Sequence, residues 1–127
     1  ELLQLKWENV CHDRRLIRVV NTKNDVNRCI PMMINIYNIF NMIKSNNKLV
    51  FKVNNSPFRQ SWTRLVKRAE IEDLHFHDLR HEAISRFFEM GLTPPEVASI
   101  SGHRTLSQLM RYSHANTSLV ADKLRSM

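Results

Sequence analysis

Glycine occurs only twice in this chain, at Gly91 and Gly102, and both positions look like the end of a helix. Helix-opening signals lie between and before them, and together they constrain the back half more than any other feature. Ser56 with Pro57 forms a cap and first turn for a helix to about Glu70. A second helix is expected from about His77 to Met90, stopping at Gly91. Thr93 with Pro94 and Pro95 opens a third, which ends near Gly102. A fourth starts after Thr105 and is expected to carry Tyr112, and "SLVADKLRSM" forms the last.

The front reads differently. "ELLQLKW" looks like a helix end, "RLIRVV" (15–20) is a β-branched run, "NTKND" (21–25) is a turn, and "VNRCIP" (26–31) returns as a partner strand. Pro31 is expected to open an apolar helix through about Lys44, and "KLVFKV" (48–53) to be a short extended piece. The expected fold class is therefore α+β, mainly helical: a small antiparallel β-sheet followed by a helical bundle.

With 127 residues and 43% hydrophobic content, the chain can form one packed domain. It begins without an initiator Met, so a single domain over 1–127, truncated at its N-terminus, is the expectation. No apolar run reaches spanning length, because "IPMMINIYNIF" is short and broken by Asn; no membrane partner is expected. Two cysteines are too few for a disulfide framework and suit reduced thiols in a cytoplasmic protein. The net charge of +7 suits a polyanionic partner such as nucleic acid.

"HFHDLRHEA" (75–83) gathers groups that are costly to bury. His77, Arg80 and His81 stand at i, i+3 and i+4, on one helix face near its start. Exposed backbone N–H groups at a helix start would favour an anion, and the Arg fork can grip two oxygens of one phosphate. A metal site competes, but the residue three after Glu82 is Ser85, not the second His of a zinc-protease helix. Nor does any cysteine lie nearby to complete a structural tetrahedron. A third reading is an ordinary polar helix start. Further on, His103 follows Gly102, and Tyr112 comes nine residues after it. Taken singly, His103 reads as a cap and Tyr112 as a packing residue. Segment 93–112 also has the outline of a helix-turn-helix, which would make the chain a non-catalytic DNA-binding module. Lys23 sits in the turn "NTKND". Arg59, Arg64, Lys67 and Arg68, interleaved with Trp62 and Leu65, are either a solvated face over a core stripe or a stripe that tracks a phosphate backbone.

In combination, His77-x-x-Arg80, Gly102-His103 and Tyr112 resemble the signature of the tyrosine recombinases, the phage integrase family. "HDLRHEA" resembles its central box and "SGHRTLSQLMRYSH" the box that carries the nucleophile. "ELLQLKWENV" resembles the segment after its first arginine, and "TKNDVNRCIPM" its β-hairpin. The resemblance implies a site-specific recombinase or integrase that cuts and rejoins double-stranded DNA through a 3′-phosphotyrosine, without a metal or other cofactor. It implies Tyr112 as nucleophile, and Arg80, His77 and His103 as groups on the scissile phosphate. Lys23 would be the general acid, and Glu1 a support for an arginine expected upstream. DNA contacts are expected at Arg59, Arg64, Lys67 and Arg68, and a tetramer on DNA for the full-length protein. His75 and His81 are left to packing or supporting roles. Ser101 stands where the family commonly has Leu, a change expected to touch packing more than chemistry. A related relaxing topoisomerase is a minor alternative.

Overall fold

A computed structural model describes residues 1–20, 27–112 and 117–127. The turn carrying Lys23 lies outside the described residues. The chain divides into two compact units, Glu1–Leu74 and His75–Met127.

The first unit holds the sheet. Strands β1 (Val10–Cys11), β2 (Leu16–Val19) and β3 (Arg28–Pro31) form an antiparallel sheet in the order β1-β2-β3. Val10 pairs with Ile17 and Ile17 with Ile30, so one row of β-branched side chains crosses all three strands. That row belongs to one face, because alternate residues of a strand point the same way. Its core gathers Val10, Met32, Phe40 and Val50, with Trp7, Ile17, Tyr37 and Phe51 packed against them. Phe40 lies edge-on to both Trp7 and Phe51, at centroid distances of 6.1 and 6.3 Å. Helix α1 (Ile34–Ile43) supplies Phe40, and α2 (Asn55–Arg68) follows.

Four sequence expectations change here, the smallest being the cap of α2, which is Asn54 with Ser56 already inside the helix. "ELLQLKW" forms not one helix end but two 3-10 turns, Leu2–Gln4 and Trp7–Asn9. Tertiary pairing decides it: the Trp7 amide donates to the Lys48 carbonyl at 3.1 Å and the Val50 amide to that of Leu5 at 2.9 Å. The backbone of Leu5 and Lys6 between the turns is extended, and the two bonds flank it. The same bonds account for "KLVFKV", which contributes a single bridge, Lys6 to Leu49, instead of a strand. Pro31 ends β3 rather than opening α1, which starts three residues later. It is tolerated because β3 lies at the sheet edge, where a missing N–H costs little.

The second unit is helical: α3 (Asp78–Glu89), α4 (Pro94–Ser101), α5 (Leu106–Met110) and α6 (Thr117–Arg125). Ile84, Val97 and Leu109 are its fully buried side chains, with Phe87, Phe88, Leu92 and Tyr112 around them. The expected punctuation is present. Gly91 and Gly102 both take left-handed backbone, φ 91° and 80°. Thr93 and Glu96 form a reciprocal capping box at the start of α4. The Thr93 amide bond holds the Glu96 carboxyl below the usual carboxylate range. The helix expected to carry Tyr112 is shorter than foreseen: α5 ends at Met110, and Tyr112 follows in a turn, its amide bonded to the Leu109 carbonyl at 2.9 Å.

Candidate active site

The second unit by itself brings together His77, Arg80, His81, Ser101, His103 and Tyr112. His77 is the N-cap of α3 and exposed, and Arg80 and His81 follow one turn on, both half-buried. Just ahead of α3, the His75 amide donates to Asp78 Oδ2 at 2.8 Å. That bond, reinforced by the His75 and His81 rings, lowers the Asp78 carboxyl from its ordinary value.

The start of α3 corrects one expectation. The amides of Asp78, Leu79 and Arg80 donate to the carbonyls of His75, Phe76 and His77 at 3.0–3.1 Å. They are engaged by the preceding turn and do not form an open N–H cradle for an anion. Side chains must grip any phosphate here.

Arg80 is fixed across the unit. Its guanidinium donates to the Ser101 carbonyl at 2.6 Å. A guanidinium carries five N–H donors, and this bond occupies one. Ser101 also turns toward His103: its Oγ lies 2.7 Å from His103 Nδ1, and the His103 amide donates to the same Oγ at 3.4 Å. Burial first, then the Arg80 and Arg111 guanidiniums, push the His103 imidazole down from its ordinary value, which favours the neutral ring. A neutral ring that accepts the Ser101 hydroxyl hydrogen at Nδ1 carries its own proton on Nε2. Ser101 is therefore more than the packing change expected from the sequence. It is buried, and it bonds to both Arg80 and His103.

Tyr112 is half-buried, and its phenol oxygen is hydrogen-bonded to His81 Nδ1. The two rings stack with centroids 5.7 Å apart and planes 22° from parallel. The His81 ring also lies edge-to-face with that of His77, centroid to centroid 5.0 Å. The sequence reading left His81 to a supporting role; the structure places it directly on the phenol. The available signal was its i+4 spacing from His77, which puts it on the same helix face. Among the described residues, no group of three His, Cys, Asp or Glu side chains comes together that could hold a metal ion.

In the first unit, Arg59, Arg64, Lys67 and Arg68 are all exposed on α2, while Phe58, Trp62 and Val66 form its half-buried row. Leu65, expected in a core stripe, is 54% exposed. Trp62 is anchored by its indole N–H on the Leu74 carbonyl at 3.3 Å. Glu1 clasps Arg28 through both carboxylate oxygens, at 3.1 and 2.8 Å. The helix-turn-helix outline is weakened, since its second helix, α5, has five residues. No helix among the described residues is long and apolar enough to cross a membrane.

Comparison with known proteins places the chain in a family. The model of the phage integrase family matches residues 1–118. The shufflon-specific DNA recombinase of Escherichia coli is 42% identical over 126 residues, which covers 98% of this chain and 33% of that protein. The integrase of Salmonella phage P22 is 35% identical over 54 residues, 42% of this chain and 14% of its own. The chain spans about a third of the length of the first of these curated relatives. Among solved structures, the catalytic domain of bacteriophage HP1 integrase superposes with a TM-score of 0.75 at 28% identity, covering 97% of this chain and 70% of that one. The Tn1549 transposon integrase, solved in complex with a circular intermediate DNA, shares the fold with a TM-score of 0.79 at 22% identity, over 100% of this chain and 54% of that one. With the family model matched across both compact units, this chain belongs to the phage integrase family.

Proposed function

We propose that this chain is the catalytic region of a site-specific DNA recombinase that breaks and rejoins DNA strands through a 3′-phosphotyrosine. The observation that carries the reading is the joining of Arg80 and His103 through Ser101, in the same small unit that holds the Tyr112 phenol on His81. Phosphoryl transfer needs donors preorganised for the charge that builds on the non-bridging oxygens. Arg80, His77 and His103 supply such donors. Tyr112 would attack the phosphorus and release a 5′ hydroxyl; a 5′ hydroxyl from another strand would reverse the step. One phosphodiester is exchanged for another, so neither water nor ATP is consumed.

Lys23 is the general acid in this reading, giving a proton to the leaving 5′ oxygen. Arg59, Arg64, Lys67 and Arg68 run along the DNA backbone. The partner is double-stranded DNA, and the full-length protein assembles on it as a tetramer. The apolar side chains of Val120 and Leu124 on α6, exposed at 50% and 64%, favour such an assembly. The whole of 1–127 acts in this reading as one catalytic domain, in the cytoplasm.

The test is covalent capture. The full-length protein meets a nicked duplex selected by wild type from a randomised pool, so that the cleaved end diffuses away and religation is blocked. Wild type should accumulate a denaturation-resistant adduct at the DNA 3′ end. Tyr112→Phe should bind the same duplex and form none at any time. Arg80→Ala should bind and cleave at least about 10²-fold more slowly. An adduct formed by Tyr112→Phe would move the nucleophile elsewhere and overturn the reading.

A further inference from the structure

We propose that His81 is a catalytic residue: its Nδ1 accepts the phenolic proton of Tyr112 as the oxygen attacks. The inference rests on the strand-transfer reading and deepens it. A phenol has an ordinary pKa near 10, so at neutral pH a tyrosine nucleophile needs a proton acceptor in contact with its oxygen. Among the described contacts, the ring nitrogen bonded to Tyr112 Oη is His81 Nδ1. Three observations make it suited to the task. The bond joins residues 31 apart in sequence, so the packing of α3 against the turn after α5 creates it. The rings stack at 5.7 Å, which fixes the approach of Oη to Nδ1 as well as the contact itself. The His77 ring meets that of His81 at 5.0 Å in an edge-to-face contact, which further limits the pose of the imidazole.

The step balances without an outside reagent. The Tyr112 oxygen forms a bond to phosphorus while the bond from phosphorus to the 5′ oxygen breaks. The phenolic proton passes to Nδ1 of His81, and the 5′ oxygen takes a proton from the general acid. In the reverse step the imidazolium returns its proton to the departing phenol oxygen. His81 must start neutral, with its own hydrogen on Nε2. The ionisable groups facing it are His77 and Asp78 from its own helix and His103 from beyond α4. These neighbours are ionisable too, so the comparison must be made between variants at position 81 with the others unchanged.

The probe is the nicked duplex that wild type selects from the randomised pool, with the rate of 3′ adduct formation followed from pH 5.5 to 9. His81→Phe keeps a flat ring against Tyr112 but no nitrogen; adduct formation should slow by about 10²-fold or more with binding to the duplex unchanged. His81→Asn keeps an acceptor near Nδ1 that cannot take up a proton; its rate should keep climbing with pH where the wild-type rate has levelled off. His81→Ala should recover in part when imidazole is added, and Tyr112→Phe should not. Wild-type rate and pH profile in His81→Phe would overturn the proposal and leave the nucleophile assignment standing. So would a slowed rate with unchanged pH dependence and no response to imidazole, which would reduce His81 to a structural contact. Failure of wild type itself to form an adduct would overturn the strand-transfer reading, and this inference with it.

Discussion

The unit 1–74 closes around Phe40, wedged between Trp7 and Phe51, whereas the unit 75–127 closes around three aliphatic side chains, Ile84, Val97 and Leu109. Aromatic pairs carry geometric preference as well as area, so the first core resists rearrangement through ring orientation. The second has no such lock among its fully buried groups. It depends instead on helix ends: the Thr93–Glu96 capping box and the left-handed glycines at 91 and 102. On this lightly built frame sit the polar groups of the candidate site. Their alignment is therefore sensitive to small losses of packing or capping in the second unit, and much less to similar losses in the first.

The largest effect should separate the two cores. Phe40→Ala is expected to cost about 3–5 kcal/mol and Leu109→Ala about 2–5 kcal/mol, each as a lowered denaturant midpoint. The difference lies in what else is lost. Leu109→Ala removes a neighbour of the turn that holds Tyr112, so adduct formation under folding conditions should fall further than stability alone accounts for. If the two variants lose activity in proportion to stability alike, the contrast between the units disappears.

A second comparison concerns charge. The four cations of α2 belong to the first unit and the groups proposed to grip phosphate to the second. Arg59→Gln with Arg64→Gln should weaken DNA binding and reduce the slope of log K against log[salt] by about 2. Cleavage of bound DNA should be unaltered. An unchanged slope would take α2 off the DNA.

Smaller effects probe the second unit from within. Ser101→Ala removes the hydroxyl beside His103 Nδ1 and leaves the carbonyl that holds Arg80. It should slow adduct formation by about fivefold, matching the loss of one hydrogen bond of about 1 kcal/mol, with DNA affinity retained. Histidine NMR should show the Nε2–H form of His103 losing its dominance. Thr93→Ala should cost about 1 kcal/mol by opening the capping box, read as a lowered thermal midpoint.

The smallest effect is one of pH. Burial and nearby cations lower the His103 pKa in the folded chain, so the unfolded chain binds its proton first. Stability from this source is complete above the ordinary imidazole range and declines as pH falls below about 6.5. Denaturant midpoints between pH 5 and 7.5 should show that slope, and His103→Gln should flatten it. The Asp78 and Glu96 carboxyls are lowered too, but their loss belongs to the more acidic carboxylate range and is separable.

The back half of the chain was legible because its signals are local. A glycine that stops a helix, a Thr-Pro that starts one and a His-x-x-Arg that shares a face all act within a turn or two, and each is found where its spacing puts it. The pairing of β2 with β3 was legible for the same reason, from a β-branched run and the partner strand expected after it. The opening segment was not, because Leu5 and Trp7 take their backbone partners from Lys48 and Val50, more than 40 residues away. The site divides along the same line. His77, Arg80, His103 and Tyr112 are marked by their order and spacing. The Arg80–Ser101–His103 connection and the bond from Tyr112 to His81 exist only once α3, α4 and the turn after α5 pack together. Residue type and periodicity determine which face a side chain occupies. Which atom it meets across that face is decided by tertiary packing, since a hydrogen bond between distant elements leaves no period in the sequence.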